Sequence, residues 1–473
     1  MFTIPVSGWE PQKSVTRRSF AVLWFLCNFA SMMESRLMEE YLEFIKDHEH
    51  SDVNALRLQY HGKSMPFSVD DACMQIEMRS KTAGKLPWFL HHPGFRFGTA
   101  QSAEQATNQN VALFHAFLIG RNRRVLDMTA GLGIDAMTIA LRGNHVTAYE
   151  LQTERVVALR HNADILGIDE LTVVQGDSVR HLQQSEEHYD WIFVDPARRD
   201  SGNNRCFLLQ DSLPDVVSHQ DLLLAHADNV LIKASPLLDI TQTLRDFSNV
   251  RSIIILSYKN EVKEVLIHLS LGSASLSPAS PGPAFPGPAS LVSSSPLSFS
   301  AEPEGEVKPP SSPLIRAIDL ADSSSAFPDG APTVRFRFIA GCPTQAPISY
   351  ASSEAIAPGM YLYEAGAAMR KLQCASQICA RYTDIKSLAK DSGLFVSENL
   401  HADFPGRICT VKAILSAKQL KALKDCRCRI VSSCYPMSAA DLRKKFRLKE
   451  GEDMTLYATT TRDGSRMMIL AVS

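Results

Sequence analysis

Several short stretches of this 473-residue chain put carboxylates, glycines and guanidinium groups where chemistry can be done. In "YDWIFVDPARRD", four apolar or aromatic positions run into Asp195 and Pro196, and Arg198 and Arg199 follow at once. A carboxylate and two guanidiniums at a strand end form either the floor of a site or a charged turn whose arginines pair with Asp195 or Asp200. In "RVLDMTAGLGIDAMTIALRG" an apolar strand ends at Asp127, a loop carries Thr129, Gly131 and Gly133, and a helix begins near Asp135. Glycines let the backbone come close to a ligand, and the helix that follows offers unpaired N–H groups. "GLGIDA" also fits the G-x-G-x-x-A form of a dinucleotide fingerprint. There the first glycine follows the strand directly, whereas here Asp127 stands four positions before Gly131. Further acids end two more apolar runs: Glu150 in "VTAYE" and Asp177, next to Ser178, in "VVQGDS". Lys233 ends "LIKAS" and either lines the same pocket or sits in solvent.

These residues must be held by strands that end together. "RVLDM", "HVTAYE", "LTVVQGD", "DWIFVD", "NVLIKAS" and "SIIILSY" are short apolar runs separated by helix-length segments, which predicts parallel strands with helices on both faces. Before them, residues 32–110 read as mainly helical: "MEEYLEFIKDH" puts Tyr41, Phe44 and Ile45 on one side. The sheet domain spans 111–345. Within it, 269–332 is rich in serine and proline and reads as a disordered insertion, because it has too little patterned apolar surface to offset its ordering entropy. If "TVRFRFIAG" pairs with "SIIILSY", that insertion is a long hairpin loop. Residues 346–473 mix helices and strands into a small α+β unit.

Four acids at four successive strand ends resemble the motifs of class I S-adenosylmethionine-dependent methyltransferases. Motif I is matched by "LDMTAGLG" and motif IV by "FVDPARR". The resemblance implies a Rossmann-like α/β sheet and S-adenosylmethionine as cofactor. It assigns Asp127, Thr129, Gly131, Gly133, Asp135, Glu150, Asp177 and Ser178 to the cofactor, with Glu150 on the ribose hydroxyls and Asp177 on the adenine. Carboxylates suit these donors, and the in-line displacement requires no metal. Asp195 and Arg198 are the expected catalytic pair, with Arg199 and Lys233 on the substrate side. Amine methylators carry Pro-Pro-aromatic after the acid. Here Ala197 and Arg198 stand instead, closer to a DPPR form found in enzymes that modify RNA bases, where arginine holds phosphate or stacks on a base.

"GMYLYEAGAAMRK", "FPGRICTV" and "YPMSAADLRKKFRLKEGEDMTLYATT" are similar to the tail of a bacterial family of such enzymes, with a ferredoxin-like segment (346–402) and a THUMP-like domain (403–473). That family implies RNA, tRNA or rRNA, as the partner. The tail carries Arg407, Arg429, Arg443, Lys444, Lys445, Arg447 and Lys449 with Tyr435 and Phe446 interleaved, a pattern suited to phosphate contact and base stacking. "DLRKKFRLKE" is equally an amphipathic helix with a solvated basic face.

Composition bounds the rest. The chain is 45% hydrophobic and 21% charged, with net charge −2, so no global field draws it to nucleic acid or membrane and any such attraction is local. Ten scattered cysteines without paired CxxC spacing indicate reduced, cytoplasmic usage; "CRCRIVSSC" lacks the knuckles of a zinc site. Residues 1–31 read as a disordered or untranslated extension, as a buried helix, or as a secretion signal; the run "RRSFAVLWFLCNFASMM" at 17–33 is too short to span a bilayer.

Overall fold

The computed structural model describes residues 36–198, 209–271, 313–322, 327–339 and 347–472. Residues 1–31, Arg199 and most of the serine/proline segment fall outside these ranges. The chain opens with helical residues 36–47, then helices Val53–Tyr60, Val69–Thr82, Pro87–Leu90, Ala100–Gln105 and Gln109–Ile119. Their starts are set locally: Asp52, Ser68 and Asn108 each accept a first-turn backbone N–H, and Thr99 and Ser102 form a reciprocal capping box.

The strands that follow are β1 (Arg124–Asp127), β2 (His145–Glu150), β3 (Leu171–Gln175), β4 (Tyr189–Val194), β5 (Ala197–Arg198), β6 (Ser212–Leu213), β7 (Ala227–Ala234), β8 (Val250–Tyr258), β9 (Glu261–Leu269), β10 (Leu314–Leu320) and β11 (Val334–Ile339). β5 and β6 form a small ladder of their own, and the other nine make one sheet in the order β11-β10-β8-β9-β7-β4-β1-β2-β3. From β3 to β7 every pairing is parallel; β9 runs antiparallel between β7 and β8. Order reverses at β1, which has β2 on one side and β4 on the other. The connections after β1 and β4 diverge there and leave a crevice at the carboxyl ends of the strands.

Both faces of this sheet are buried, with strict alternation. Leu126, Ile192, Val194, Val230 and Ile232 enter one core; Val125, Trp191, Phe193 and Leu231 enter the other. The second core also receives Phe89, Phe95, Phe97 and Phe114, so the N-terminal helices cover that face. The first is completed by Tyr363, Ala368, Met369 and Ile378 from the following unit.

The serine/proline segment requires a correction. "LIRAIDL" within it is strand β10, which pairs in parallel with β8, and "VRFRFI" (β11) pairs with β10. No direct hairpin joins β11 to β8. Leu314, Ile315, Ile318 and Leu320 supply a strand-length apolar run directly after Pro313, a local signal that the composition of the surrounding segment obscured.

The remaining strands are β12 (Tyr361–Ala365), β13 (Lys386–Ser387), β14 (Leu394–Ser397), β15 (Gly406–Ile414), β16 (Arg429–Ser433), β17 (Thr455–Thr460) and β18 (Arg466–Val472). They join in one seven-stranded sheet, β13-β14-β12-β15-β18-β17-β16. The two segments expected as separate units are thus stitched together by β12 and β15, with Ala365 opposite Gly406. A Cβ at Gly406 would lie 2.1 Å from the Glu364 carbonyl, so only glycine permits this approach. Glu364, 4% exposed, ties the same seam by accepting two 2.7 Å bonds from Arg429 and one of 3.1 Å from Tyr457. Replacing Glu364 with alanine leaves a largely buried guanidinium unpaired. The expected loss is about 3 kcal/mol in urea unfolding, the low end for a broken buried pair because Arg429 retains some solvent.

Candidate functional site

One cavity of 1480 Å³ opens at the crevice between β1 and β4. Asp127, Thr129, Gly131, Gly133, Asp135, Glu150, Asp177, Ser178, Asp195 and Lys233 all line it, so the proposed cofactor residues and two of the substrate-side residues meet in one place. The Arg198 backbone pairs with Ser212 in the β5–β6 ladder, and Arg199 lies outside the described residues.

The loop after β1 is built from the backbone outward. Gly133 adopts φ +85° as it opens helix Ile134–Leu141, and a Cβ there would lie 2.1 Å from Leu159 Cδ1. Gly131 adopts φ +58°, where a Cβ would meet only the Thr129 carbonyl at 4.0 Å, and its N–H donates to Glu150 Oε2 at 2.9 Å. Gln152 N–H donates to Glu150 Oε1, also at 2.9 Å, and Arg155 stands 3.8 Å away. Glu150 is thereby oriented, with each oxygen still able to accept another donor. Thr129 Oγ1 accepts the Asp195 N–H at 2.8 Å, linking the ends of β1 and β4. Ser178 donates to Met128 O at 2.9 Å, and Asp177 caps its helix by accepting from Val179 and Arg180 N–H. Ser178 therefore positions the loop, a role that its sequence neighbourhood did not indicate.

Charge in the floor is concentrated, and all of it but Asp127 is paired. Asp127 is 1% exposed and accepts the Thr129 N–H at 3.0 Å. Burial pushes its carboxyl up to about 8, opposed by that N–H and reinforced by Asp135 and Asp195. Lys233 donates to Asp195 Oδ2 at 2.6 Å and to Thr107 Oγ1 at 3.0 Å. Burial alone would discharge this lysine, but the carboxylates of Asp195, Asp135 and Glu264 hold its pKa above the ordinary value. It is an ion-paired component of the floor, not a solvated side chain.

Sequence reading missed three members of this floor. Thr107 donates to Asp135 Oδ2 at 2.5 Å, and His115 bridges Asp135 Oδ1 at 2.7 Å and Glu264 Oε1. A signal did exist. His115 sits in the almost wholly apolar helix "NVALFHAFLI" and Glu264 inside an apolar strand, and buried polar groups at such positions need partners.

The basic helix Ala439–Phe446 lies in the second sheet unit, and none of its residues lines the cavity. Lys444 and Lys445 are exposed, whereas Phe446 is 6% exposed and belongs to the core, so it offers no face for stacking a base. Arg429 is committed to Glu364. The solvated basic face is retained, and the expected interleaving with Phe446 is corrected. Among the described residues no helix is long and apolar enough to cross a membrane, and no group of three or more His, Cys, Asp or Glu is placed to hold a metal ion.

The class is set by the reversed strand order, the glycine loop and the acids at the strand ends: a class I methyltransferase fold, followed by ferredoxin-like and THUMP-like domains. Family models agree by segment: "conserved hypothetical protein 95" over residues 106–214, "ferredoxin-like domain" over 361–405 and "THUMP domain-like" over 406–472. A crystal structure described as a methyltransferase from Porphyromonas gingivalis W83 superimposes with TM-score 0.72 at 24% identity, covering 93% of this chain and 98% of that one. An uncharacterised RNA methyltransferase of Mycoplasma mobile is 30% identical over 81 residues, 17% of this chain and 22% of that protein. The chain thus spans about a fifth of the length of that curated relative.

Gly133→Ala must both strain a left-handed backbone and displace Leu159. We expect a loss of about 1–2 kcal/mol in thermal or urea unfolding, against a few tenths for an alanine at an exposed helical site.

Proposed function

We propose that this protein transfers a methyl group from S-adenosylmethionine to a base in tRNA or rRNA, working in the cytoplasm, where its cysteines remain reduced. The observation that carries this reading is the convergence of Asp127, Glu150, Asp177 and Asp195 in one cavity. The cofactor's ribose hydroxyls, adenine amine and ammonium are donors, and these carboxylates are the matching acceptors. Glu150, already oriented by Gly131 and Gln152, would hold the ribose; Asp177 and the loop 127–133 would hold the two ends. When bound, S-adenosylmethionine supplies an electrophilic methyl on a sulfonium centre. The remaining task is to hold the acceptor atom in line with that methyl, worth on the order of 7–11 kcal/mol of barrier when done well. Asp195, its backbone fixed by Thr129 and one oxygen by Lys233, faces the cavity and would orient the base edge or receive a proton from it. Arg198 and Arg199 would contact the substrate's phosphate or base.

The second sheet supports the RNA reading through charge. Residues 418–449 contain nine lysines and arginines besides Arg429, which Glu364 holds, against Asp425 and Asp441. Such a surface attracts a polyanion and suits RNA better than a small uncharged substrate. The mutual continuity of β12 and β15 would keep this surface in a fixed relation to the cavity.

Nucleoside mass spectrometry of RNA from wild-type and deletion strains should reveal one methylated nucleoside that depends on the protein. Label from S-adenosylmethionine entering only protein or a small molecule would exclude RNA as substrate. Replacing Lys444 and Lys445 together with alanine should weaken RNA binding and reduce the slope of log K against log salt by about 1.4–1.8, with cofactor affinity unchanged. Cofactor affinity itself should depend on pH. The cationic ligand favours ionised Asp127, whose carboxyl in the free protein lies at about 8, so calorimetry should show affinity falling as pH drops below that value. Asp127→Asn should be weaker and flat across the same range.

A further inference from the structure

His115 is 0% exposed, does not line the cavity and is absent from any step described above. Both of its ring nitrogens face carboxylates: Nδ1 meets Asp135 Oδ1 at 2.7 Å and Nε2 meets Glu264 Oε1. A neutral imidazole has one N–H and can donate to only one of them. If both carboxylates are ionised, both nitrogens must donate, and the ring is an imidazolium. From there the contacts continue to the cavity, with Asp135 accepting from both sides and Lys233 donating to both sides. Thr107 donates to the other oxygen of Asp135, Lys233 donates to Thr107, and Lys233 donates to Asp195. The six groups come from β9, helix Gln109–Ile119, helix Ile134–Leu141, the turn before Gln109, β7 and the end of β4. Charge alternates along them, starting negative at Glu264 and ending negative at Asp195.

Resting on the methyl-transfer reading above, we propose that His115 is a positioning residue: as a buried imidazolium it holds Asp135, and through Thr107 and Lys233 it fixes the Asp195 carboxylate that faces the substrate. The protonated state has electrostatic support. Burial opposes charging the ring, but Glu264 and Asp135 outweigh it and raise the imidazole to about 9, while His115 and Lys233 lower Asp135 to about 2 against its own burial. Beyond the two touching carboxylates, the charged groups around the network are Lys233, Asp195, Asp127 and Lys85, and the Phe193 ring packs 5.4 Å from the imidazole. Glu150 and Asp177, the carboxylates placed on the ribose and adenine, have no bond in this chain of contacts; Asp135, also assigned to the cofactor from the sequence, instead has its two oxygens engaged by His115 and Thr107. Loss of His115 should therefore separate turnover from cofactor binding.

Nitrogen-15 NMR of the histidine rings in the full-length protein at neutral pH tests the charge state independently of any activity. An imidazolium that persists to about pH 9 is expected, and a neutral ring at pH 7 overturns the proposal whatever the enzyme methylates. Two variants test the consequence. His115→Gln removes the cation, and Thr107→Val cuts the path while leaving His115 between its carboxylates. Both should lower kcat for RNA by roughly 10²-fold, as expected for a misplaced reacting group, with the cofactor Kd within about threefold of wild type. At saturating cofactor and RNA, wild-type kcat should fall above about pH 9, and Thr107→Val should lose that limb. Wild-type kcat in folded Thr107→Val, or a loss in His115→Gln that only tracks the unfolded fraction, would overturn the positioning role. Absence of RNA methylation by the wild type, with an imidazolium still observed, would defeat the functional reading alone.

Discussion

Four carboxylates, Asp127, Asp135, Asp195 and Glu264, are packed behind one end of a buried sheet, and the rest of the site depends on how that charge is balanced. At an effective dielectric near 20, two like charges about 4 Å apart cost roughly 4 kcal/mol, so such a cluster cannot stay ionised without cations among its members. Lys233 provides one, bonded to Asp195 at 2.6 Å, and His115 sits between two of the acids. Among the described residues Asp127 forms no ion pair, and burial pushes it up to about 8. That asymmetry separates Asp127 from Asp135, Asp195 and Glu264, whose charge is met by His115 and Lys233.

The surrounding architecture serves this balance. Reversal of strand order at β1 opens the crevice, and the alternating faces of β1, β4 and β7 place the apolar side chains in two cores while the strand ends carry the acids. Thr129 and Ser178 then lock the loops against one another by bonds to Asp195 N–H and Met128 O. The second sheet packs on the first through helix Ala367–Lys371. Lys371 Nζ donates to Leu238 O at 2.8 Å, and Leu238 lines the cavity. The basic surface and the pocket are therefore parts of one packed body, joined by apolar burial and a few directed bonds.

Much of this was legible in the chain itself because its signals are local. The alternation of short apolar runs and helical segments predicts the parallel sheet, and an acid at each strand end is visible whenever the strand is. Asp127, Glu150, Asp177, Asp195 and the two glycines could therefore be picked out from strand ends and a family resemblance, and they line one cavity. Strand β10 was lost because a composition average over a long serine/proline stretch hid seven patterned residues within it. The role of Phe446 was misassigned because an aromatic between lysines looks the same whether it faces solvent or core.

The sequence by itself determined the class of fold, the order of the strand-end acids and the basic character of the tail, each of which depends on residues close together in the chain. Only the tertiary structure decided that Glu264 and His115, 149 residues apart, meet behind the pocket, and that Lys233 is paired instead of solvated. It likewise decided that the two C-terminal segments share one sheet. The physical reason is common to all three: a buried charge or an open sheet edge requires a partner, but the requirement says nothing of which distant residue will meet it. That choice is made by strand order and side-chain direction, and neither exists until the chain has packed.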